Sequence, residues 1–164
     1  MYWKKRYQRA INKGIQLISD KTIRNALKDI YKKYPFLEEV RFQNFTADLL
    51  FICPVKKLTH GFEIKSDRDN TDKLKHQLRG YIQYCNKVFV VTTLGQYKDV
   101  LKVVNTSEFN NVGVMIYIKT DEGARFDIIK EAVNNKVCGV GCSWITKKHQ
   151  LYQWLYLLEM IWGK

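Results

Sequence analysis

The spacing of apolar residues predicts a chain that alternates between helices and strands. After a cap at Ser19 or Asp20, apolar residues recur every three to four positions as far as Ile30 and predict an amphipathic helix, which Pro35 ends. The same spacing predicts helices at 69–86 and 97–105. Shorter apolar or alternating runs predict strands at residues 37–43, 45–52, 61–66, 87–93 and 112–119. The predicted order is therefore α, β, β, β, α, β, α, β.

The connections between these elements indicate an α/β fold with a mixed central sheet flanked by helices. A short polar stretch after Pro54 favours an antiparallel hairpin between the strands at 45–52 and 61–66. The run KVFVVTT at 87–93 is apolar on both faces, as expected for a buried central strand. Because a helix separates it from the strand at 61–66, the two strands and the helix predict a βαβ crossover.

A single domain is predicted over residues 1–164, because no repeat, low-complexity tract or Gly/Ser linker divides the chain. We expect a core at about 19–119, a basic N-terminal segment at 1–18 and a C-terminal helical element at about 143–163. The apolar stripe of that last element is typical of core packing and is also compatible with a homodimer face. The stripe consists of Leu151, Trp154, Leu155, Leu158, Ile161 and Trp162.

Cysteine usage and hydropathy predict a cytoplasmic protein. Cys53, Cys85, Cys138 and Cys142 form no disulfide-framework pattern, which suits a reducing compartment. The chain has neither the apolar run of a signal peptide nor one long enough to span a membrane. We therefore expect no membrane partner.

Positive charge is concentrated at the beginning of the chain. The protein has 28 Lys and Arg against 16 Asp and Glu, net +12, and residues 1–35 hold ten basic and two acidic side chains, which gives +8. Such a field attracts polyanions and predicts a nucleic-acid partner, although basic proteins without that role exist. In MYWKKRYQR, aromatic residues alternate with Lys4, Lys5, Arg6 and Arg9, a pattern that suits stacking on unpaired bases and equally a solvated tail.

Asp48, Glu63 and Lys65 are the candidates for chemistry. Residues two apart in a strand share a face, so Glu63 and Lys65 project together. The hairpin places Asp48 within reach of that face. Two carboxylates suit a hard divalent cation such as Mg²⁺ or Mn²⁺, and a lysine beside them can orient a water or offset charge during phosphodiester hydrolysis.

The same residues resemble the motif of the PD-(D/E)XK nuclease superfamily, whose members share a restriction-endonuclease-like core. Asp48 is followed by Glu63-Ile64-Lys65, a helix and a buried strand, and Gln77-x-x-x-Tyr81 is similar to the Q-x-x-x-Y motif of exonuclease-type members. The stretch from ISDKTIRNAL to KVFVVTT is similar to small bacterial and phage proteins assigned to this superfamily. The resemblance covers residues 19–119, and Ala47 stands where the family name has proline.

The resemblance implies a Mg²⁺- or Mn²⁺-dependent DNA nuclease in a bacterial or phage-infected cell. Asp48, Glu63 and the Ile64 carbonyl would bind the metal, and Lys65 would be the catalytic lysine. Gln77 and Tyr81 would orient these groups or touch DNA. Either Glu38 or Glu39 would be the additional acid that some members use. The expected DNA contacts are Lys4, Lys5, Arg6, Arg9, Lys73 and Lys75.

Other readings of these residues remain open at this point. Asp48 and Glu63 could be solvated carboxylates with Lys65 as an ion-pair partner. The protein could also be a non-catalytic nucleic-acid-binding or interaction module on the same fold, or it could bind only protein. Cys138, Cys142 and His149 are too few for a zinc site, and no H-E-x-x-H, Walker A or G-x-G-x-x-G sequence is present.

Overall fold

The architecture is that of a mixed sheet with helices on both faces. The computed structural model describes residues 12, 14, 16–42, 44–53 and 58–137. The predicted C-terminal helix, the homodimer face and the basic residues Lys4, Lys5, Arg6 and Arg9 lie outside these residues. The helices are α1 (Asp20–Ile30), α2 (Leu74–Tyr84) and α3 (Tyr97–Val104), with a 3₁₀ helix at Ser107–Phe109. The strands are β1 (Phe36–Arg41), β2 (Thr46–Cys53), β3 (Leu58–Lys65), β4 (Lys87–Thr93), β5 (Gly113–Thr120) and β6 (Gly123–Lys130).

The six strands lie in the sheet in the order in which they occur in the chain. β1, β2 and β3 form an antiparallel meander. β3, β4 and β5 are parallel and are connected through α2 and α3, and β6 returns antiparallel to β5. The predicted α/β class, with an antiparallel hairpin followed by a βαβ crossover in a mixed sheet, is confirmed.

A separate apolar core lies on each face of the sheet. Ile23 and Leu27 of α1 pack with Phe62 and Ile64 on one face. Leu74, Leu78 and Tyr81 of α2 pack on the other face, where α3 also contributes buried valines. Alternate residues of β3 therefore point toward α1 or toward α2, and Glu63 and Lys65 point toward α2.

Strand β6 is an element that the apolar pattern does not predict. It lies at the edge of the sheet, and its residues are exposed or half-buried throughout. Without a buried face it shows no regular alternation of apolar and polar residues. The sequence signal that marks it is the turn before it, where Gly123 has a φ of 136° that favours glycine.

The two helix starts differ in how well the sequence predicts them. Ser19 caps α1, since its hydroxyl accepts a hydrogen bond from the Thr22 N–H at 3.2 Å. The predicted caps of α2 lie before the helix, which begins at Leu74 without a side-chain cap. Asp69 instead accepts hydrogen bonds from the backbone N–H and the hydroxyl of Ser66 and so closes the loop after β3.

Candidate active site

Asp48, Glu63 and Lys65 meet at the end of the β2–β3 ladder. The ladder pairs Leu49 with Phe62, so Asp48 and Glu63 are the next residues in register. The Ile64 N–H donates to Asp48 Oδ2 at 2.8 Å, and Lys65 Nζ donates to Glu63 Oε1 at 2.6 Å. The hairpin thus brings two carboxylates and one ammonium group together.

Asp48 is held by side chains rather than by strand pairing. Between β1 and β2, Leu49 pairs with Glu38 and Ala47 pairs with Val40, and Asp48 between them has no partner. Between β2 and β3, the pairing ends at Leu49, so Asp48 has no partner there either. The Asp48 N–H donates to the Tyr81 hydroxyl at 2.8 Å, and Arg24 Nη1 donates to the Asp48 carbonyl at 2.8 Å. A helix on each face of the sheet therefore supplies one of the groups that fix the backbone of Asp48.

Tyr81 bridges the two strands of the hairpin at this point. Its hydroxyl donates to the Phe62 carbonyl at 3.0 Å, and its side chain is fully buried. The ring lies directly over Gly61, because a Cβ atom at that position would be 2.5 Å from Tyr81 Cδ1. The glycine in HGFEIK therefore lets α2 approach β3 closely enough for Tyr81 to reach Asp48.

Gln77 and Glu63 hold the ammonium group of Lys65 from two sides. Lys65 Nζ donates to Gln77 Oε1 at 3.0 Å in addition to its bond with Glu63. Gln77 lies one turn before Tyr81 on α2, which is why both reach β3. All five residues that the sequence predicts as catalytic thus belong to one connected set of contacts.

The two carboxylates differ in their access to solvent. Glu63 is 0% exposed. Its Oε2 is buried and has no hydrogen-bond partner among the described residues. The Asp48 side chain is 20% exposed. An unpaired buried carboxylate oxygen is costly, so Oε2 marks a place where a cation or a water would be stabilising.

Burial raises the pKa of both acids. The pKa of Asp48 is raised to about 8 by burial and by the negative charge of Glu63, against the opposing effects of the Ile64 N–H, Lys65 and Arg24. Burial also raises the pKa of Glu63, and Lys65 opposes that shift. The pKa of the Tyr81 hydroxyl is well above its usual range because of burial, so the hydroxyl keeps its proton.

Arg24 and two further carboxylates complete the cluster. Arg24 Nη2 lies 3.0 Å from Asp20, 2.7 Å from Glu39 and 3.9 Å from Asp48 Oδ1. With every group ionised, four carboxylates (Asp20, Glu39, Asp48 and Glu63) and two cations (Arg24 and Lys65) sum to −2. A local charge of −2 in a chain of net charge +12 is the charge that one divalent cation would neutralise.

The structure separates the two candidates for the additional acid. Glu38 pairs with Lys28 at 3.0 Å. Glu39 has a φ of 50°, in the left-handed region, and its carboxylate contacts Arg24. Glu39 is therefore the acid connected to Asp48. Sequence reasoning missed Arg24, although its position four residues after Asp20 on a predicted helix is a recognisable ion-pair spacing.

Asp48 and Glu63 are the carboxylates of the site that could contact a metal ion. Within the described part of the chain, no group of three or more His, Cys, Asp or Glu residues is arranged to hold a metal. Mg²⁺ commonly uses only one or two protein carboxylates together with carbonyls and waters. The N–H and C=O of one strand residue point to the same side, so the Ile64 carbonyl faces the β2 side, where its N–H meets Asp48.

Two of the predicted DNA contacts, Lys73 and Lys75, lie at the beginning of α2. Lys73 is exposed one turn before Gln77, whereas Lys75 is exposed on the side of α2 where its charge acts on Glu108, the partner of Arg79. Cys138, Cys142 and His149, which are too few for a zinc site, lie outside the described residues. Cys85 is buried beneath Gly61 and Tyr81, and burial raises the pKa of its thiol to about 12.

The fold and the cluster define an α/β protein with a six-stranded mixed sheet and an acidic site at the end of its central hairpin. Residues 36–149 match the family described as bacteriophage P4 protein cII, more than half of the 164 residues. The chain therefore belongs to this family.

Comparison with other proteins adds information about the fold alone. The chain is similar in structure to the SPO1766 protein of unknown function from Silicibacter pomeroyi, with a TM-score of 0.51 and 16% sequence identity. The match covers 82% of this chain and 84% of the other. No curated protein matches the sequence.

Among the described residues, none of the helices has the length and apolar character needed to cross a membrane.

Proposed function

We propose that this protein is a metal-dependent DNA nuclease of the PD-(D/E)XK type, which hydrolyses phosphodiester bonds with Mg²⁺ or Mn²⁺. The observation that carries the proposal is the buried, unpartnered Oε2 of Glu63, next to Asp48 and Lys65. The strand order around it, an antiparallel hairpin followed by a parallel crossover, agrees with the restriction-endonuclease-like core expected from the sequence.

Asp48 Oδ1, Glu63 Oε2 and the Ile64 carbonyl are the groups that would hold the metal. Asp48 Oδ2 already accepts the Ile64 N–H, and Glu63 Oε1 accepts Lys65, so each carboxylate has one oxygen left for a cation. When bound, the ion would polarise the phosphodiester and lower the pKa of the attacking water. Asp48 and Glu63 would also exclude a phosphate that approaches without a cation, because their negative charges repel it.

Lys65 is the residue that would act on the water and the phosphate. An ammonium group has three N–H donors, and Glu63 and Gln77 accept two of them. The third can donate to the attacking water or to a phosphate oxygen on which negative charge develops. Gln77 would then act by fixing the direction of this donor.

The exposed lysines at the beginning of α2 would bind the DNA backbone. Lys73 and Lys75 are exposed at the beginning of α2, and Lys73 lies one turn before Gln77, which accepts a hydrogen bond from Lys65. Phosphate contacts of this kind position a duplex without reading its sequence. The compartment we expect is the cytoplasm of a bacterial or phage-infected cell.

A nuclease assay with matched variants tests the proposal. Purified protein with Mn²⁺ should nick plasmid or shorten linear DNA, and EDTA should abolish the product. Asp48→Asn and Glu63→Gln should each reduce the rate about a thousandfold or more, because several kcal/mol of transition-state stabilisation is lost. Asp99→Asn and Glu108→Gln change exposed carboxylates outside the cluster and serve as controls. An active Asp48→Ala, Glu63→Ala double variant would refute the assignment.

A non-catalytic nucleic-acid-binding role is the second candidate. It is favoured by the net charge of +12 and by the finding that, among the described residues, no group of three or more His, Cys, Asp or Glu could hold a metal ion. This role predicts salt-dependent DNA binding without any metal-dependent product. Gel analysis with and without Mn²⁺ separates the two candidates, and absence of DNA binding would leave a role in protein interaction.

A further inference from the structure

Arg24 is a half-buried cation that joins helix α1 to the backbone of Asp48. Its side chain is only 12% exposed. Nη1 donates to the Asp48 carbonyl at 2.8 Å, while Nε and Nη2 donate to the Asp20 carboxylate at 3.1 and 3.2 Å. Nη2 also lies 2.7 Å from Glu39 Oε1. The guanidinium fork thus contacts three separate elements or loops at once, which a lysine ammonium cannot do with the same geometry.

We propose that Arg24 is a positioning residue for the Asp48 carboxylate, and that Glu39 positions Arg24. This inference rests on the proposed function for its catalytic consequence. The positioning of Asp48 by Arg24 is argued from the contacts between described residues and does not depend on that function.

The need for such a residue follows from the way the strands separate at Asp48. Cross-strand partners flank Asp48 in β2, while Asp48 itself pairs in neither register. Its N–H is satisfied by Tyr81 from α2, and its carbonyl is satisfied by Arg24 from α1. Removing Arg24 leaves this carbonyl without that partner, so the backbone at Asp48 can move and carry the carboxylate with it.

The unusual backbone at Glu39 supports the same role. A non-glycine residue with a φ of 50° is uncommon and costs of the order of 1 to 3 kcal/mol. At this position the chain leaves the β1–β2 ladder opposite Asp48, and the Glu39 carboxylate reaches Arg24. Glu39 and Asp20 together hold the guanidinium where Nη2 stays 3.9 Å from Asp48 Oδ1, outside hydrogen-bond distance. Asp48 Oδ1 therefore remains available to another ligand.

Amide hydrogen exchange tests the positioning without any need for activity. The Ile64 N–H donates to Asp48 Oδ2 and reports whether the carboxylate is in place. In Arg24→Gln this amide should exchange about tenfold faster or more, since its local opening becomes easier, whereas the Val90 amide of the central strand should be unchanged. Arg79→Gln is the matched control, because Arg79 forms an Arg–Glu pair with Glu108 at the surface of α2.

Steady-state kinetics and Mn²⁺ titration test the catalytic consequence. Arg24→Gln should lower kcat and Mn²⁺ affinity by about 10- to 100-fold with KM for DNA unchanged, as for other residues that orient a metal ligand. Arg24→Lys should recover only part of the loss, because a single ammonium cannot reach both the Asp48 carbonyl and Glu39. Glu39→Gln should show a smaller loss in the same direction, and Glu108→Gln should show none.

Three results would overturn the positioning role. In the first, the Ile64 amide exchanges at the same rate in Arg24→Gln as in the control Arg79→Gln. In the second, the Val90 amide of Arg24→Gln is accelerated as much as the Ile64 amide. In the third, the Ile64 amide of Glu39→Gln exchanges at the wild-type rate. Faster exchange at Ile64 alone supports the role even if the wild-type protein neither binds Mn²⁺ nor cuts DNA. In that case the proposed nuclease function fails and the structural role of Arg24 stands.

Discussion

At the scale of single residues, the site is a pair of carboxylates, Glu63 buried and Asp48 half-buried, with too few partners for two negative charges. Glu63 has Lys65 for one oxygen, and Asp48 has a backbone N–H for one oxygen. Burial raises the pKa of both acids. A divalent cation would stabilise both carboxylates in their ionised form. Without a cation, the raised pKa values favour binding of a proton by the pair.

The metal-free protein should lose stability as pH rises because of Asp48. Its folded-state pKa, about 8, lies above its ordinary value of 3.8, so the folded state binds the proton more tightly than the unfolded state between these values. The contribution is fully present below about pH 4 and is lost as pH rises through 8. Thermal unfolding in EDTA from pH 5 to 9 should show a falling Tm.

Asp48→Asn should flatten that pH profile, with a residual slope from Glu63, whose pKa is also raised. Asp99→Asn, an exposed residue of α3, should keep the wild-type slope. A wild-type Tm that falls no more steeply with pH than the Tm of Asp48→Asn would contradict the raised pKa of Asp48.

Removing the Tyr81 hydroxyl should destabilise the fold by about 1 to 3 kcal/mol. Tyr81→Phe leaves both the Asp48 N–H and the Phe62 carbonyl without their partner in a buried site. Urea denaturation measures the loss. Tyr84→Phe, one turn later on α2, is the control and should cost less, since Tyr84 packs as a ring on Phe42. Equal stabilities of the two variants would contradict the bridging role.

At the scale of elements, the position of α2 depends on the small residue beneath it. Gly61 leaves room for the Tyr81 ring on β3, and Tyr81 connects β3 to the end of β2. The helix thereby determines how far the strands separate where Asp48 and Glu63 face each other. A change at the helix–sheet contact should therefore reach the site, although neither Gly61 nor the ring would touch a metal.

Gly61→Ala should weaken Mn²⁺ binding as well as stability. The new Cβ would lie 2.5 Å from Tyr81 Cδ1 and 2.9 Å from Cys85 Sγ, so the helix must shift. We expect a loss of about 1 to 3 kcal/mol in unfolding free energy and of about tenfold in Mn²⁺ affinity. Gly113→Ala in β5 is the control. Its new Cβ would be equally crowded, at 2.5 Å from Phe89 and 2.8 Å from Ala132 N, but it would not contact Tyr81. Similar Mn²⁺ affinities in the two variants would contradict the coupling.

The sequence predicts the residues of the site better than it predicts the residues that hold them in place. Strand periodicity predicts that Glu63 and Lys65 share a face. Gln77 and Tyr81 are predicted as site residues by the resemblance to the Q-x-x-x-Y motif, and helix periodicity places the two on one face. Glu39 could not be placed, since its left-handed backbone reverses the alternation of β1. Arg24 reaches from α1 to the Asp48 carbonyl through a long side chain. Helix periodicity predicts the side of α1 on which Arg24 lies, but it does not predict this contact.

At the scale of the whole molecule, a small acidic cluster lies within a strongly basic chain. With every group ionised, the charges around Arg24 and Lys65 sum to −2, while the protein carries +12. A basic surface attracts the DNA backbone, and the acidic cluster would select a cation to meet the phosphate. Much of the predicted basic surface, including Lys4, Lys5, Arg6 and Arg9, lies outside the described residues.

DNA binding should depend on salt through the lysines at the beginning of α2. Each phosphate contact adds about 0.9 to the slope of log K against log salt, so Lys73→Gln with Lys75→Gln should reduce the slope by up to about two. Fluorescence anisotropy in EDTA measures this without cleavage. Lys98→Gln with Lys102→Gln makes the same charge change on α3 and should alter the slope less. Equal slopes for both double variants would place the DNA elsewhere.

The most direct test of the account is a crystal of the protein soaked in Mn²⁺ and measured at the manganese absorption edge. We predict one anomalous peak within coordination distance, about 2.0 to 2.4 Å, of Asp48 Oδ1, Glu63 Oε2 and the Ile64 carbonyl. The peak should be absent from Asp48→Asn crystals soaked in the same way. A wild-type crystal with no peak at this place, and with Glu63 Oε2 bonded to a protein group or a water instead, would contradict the account.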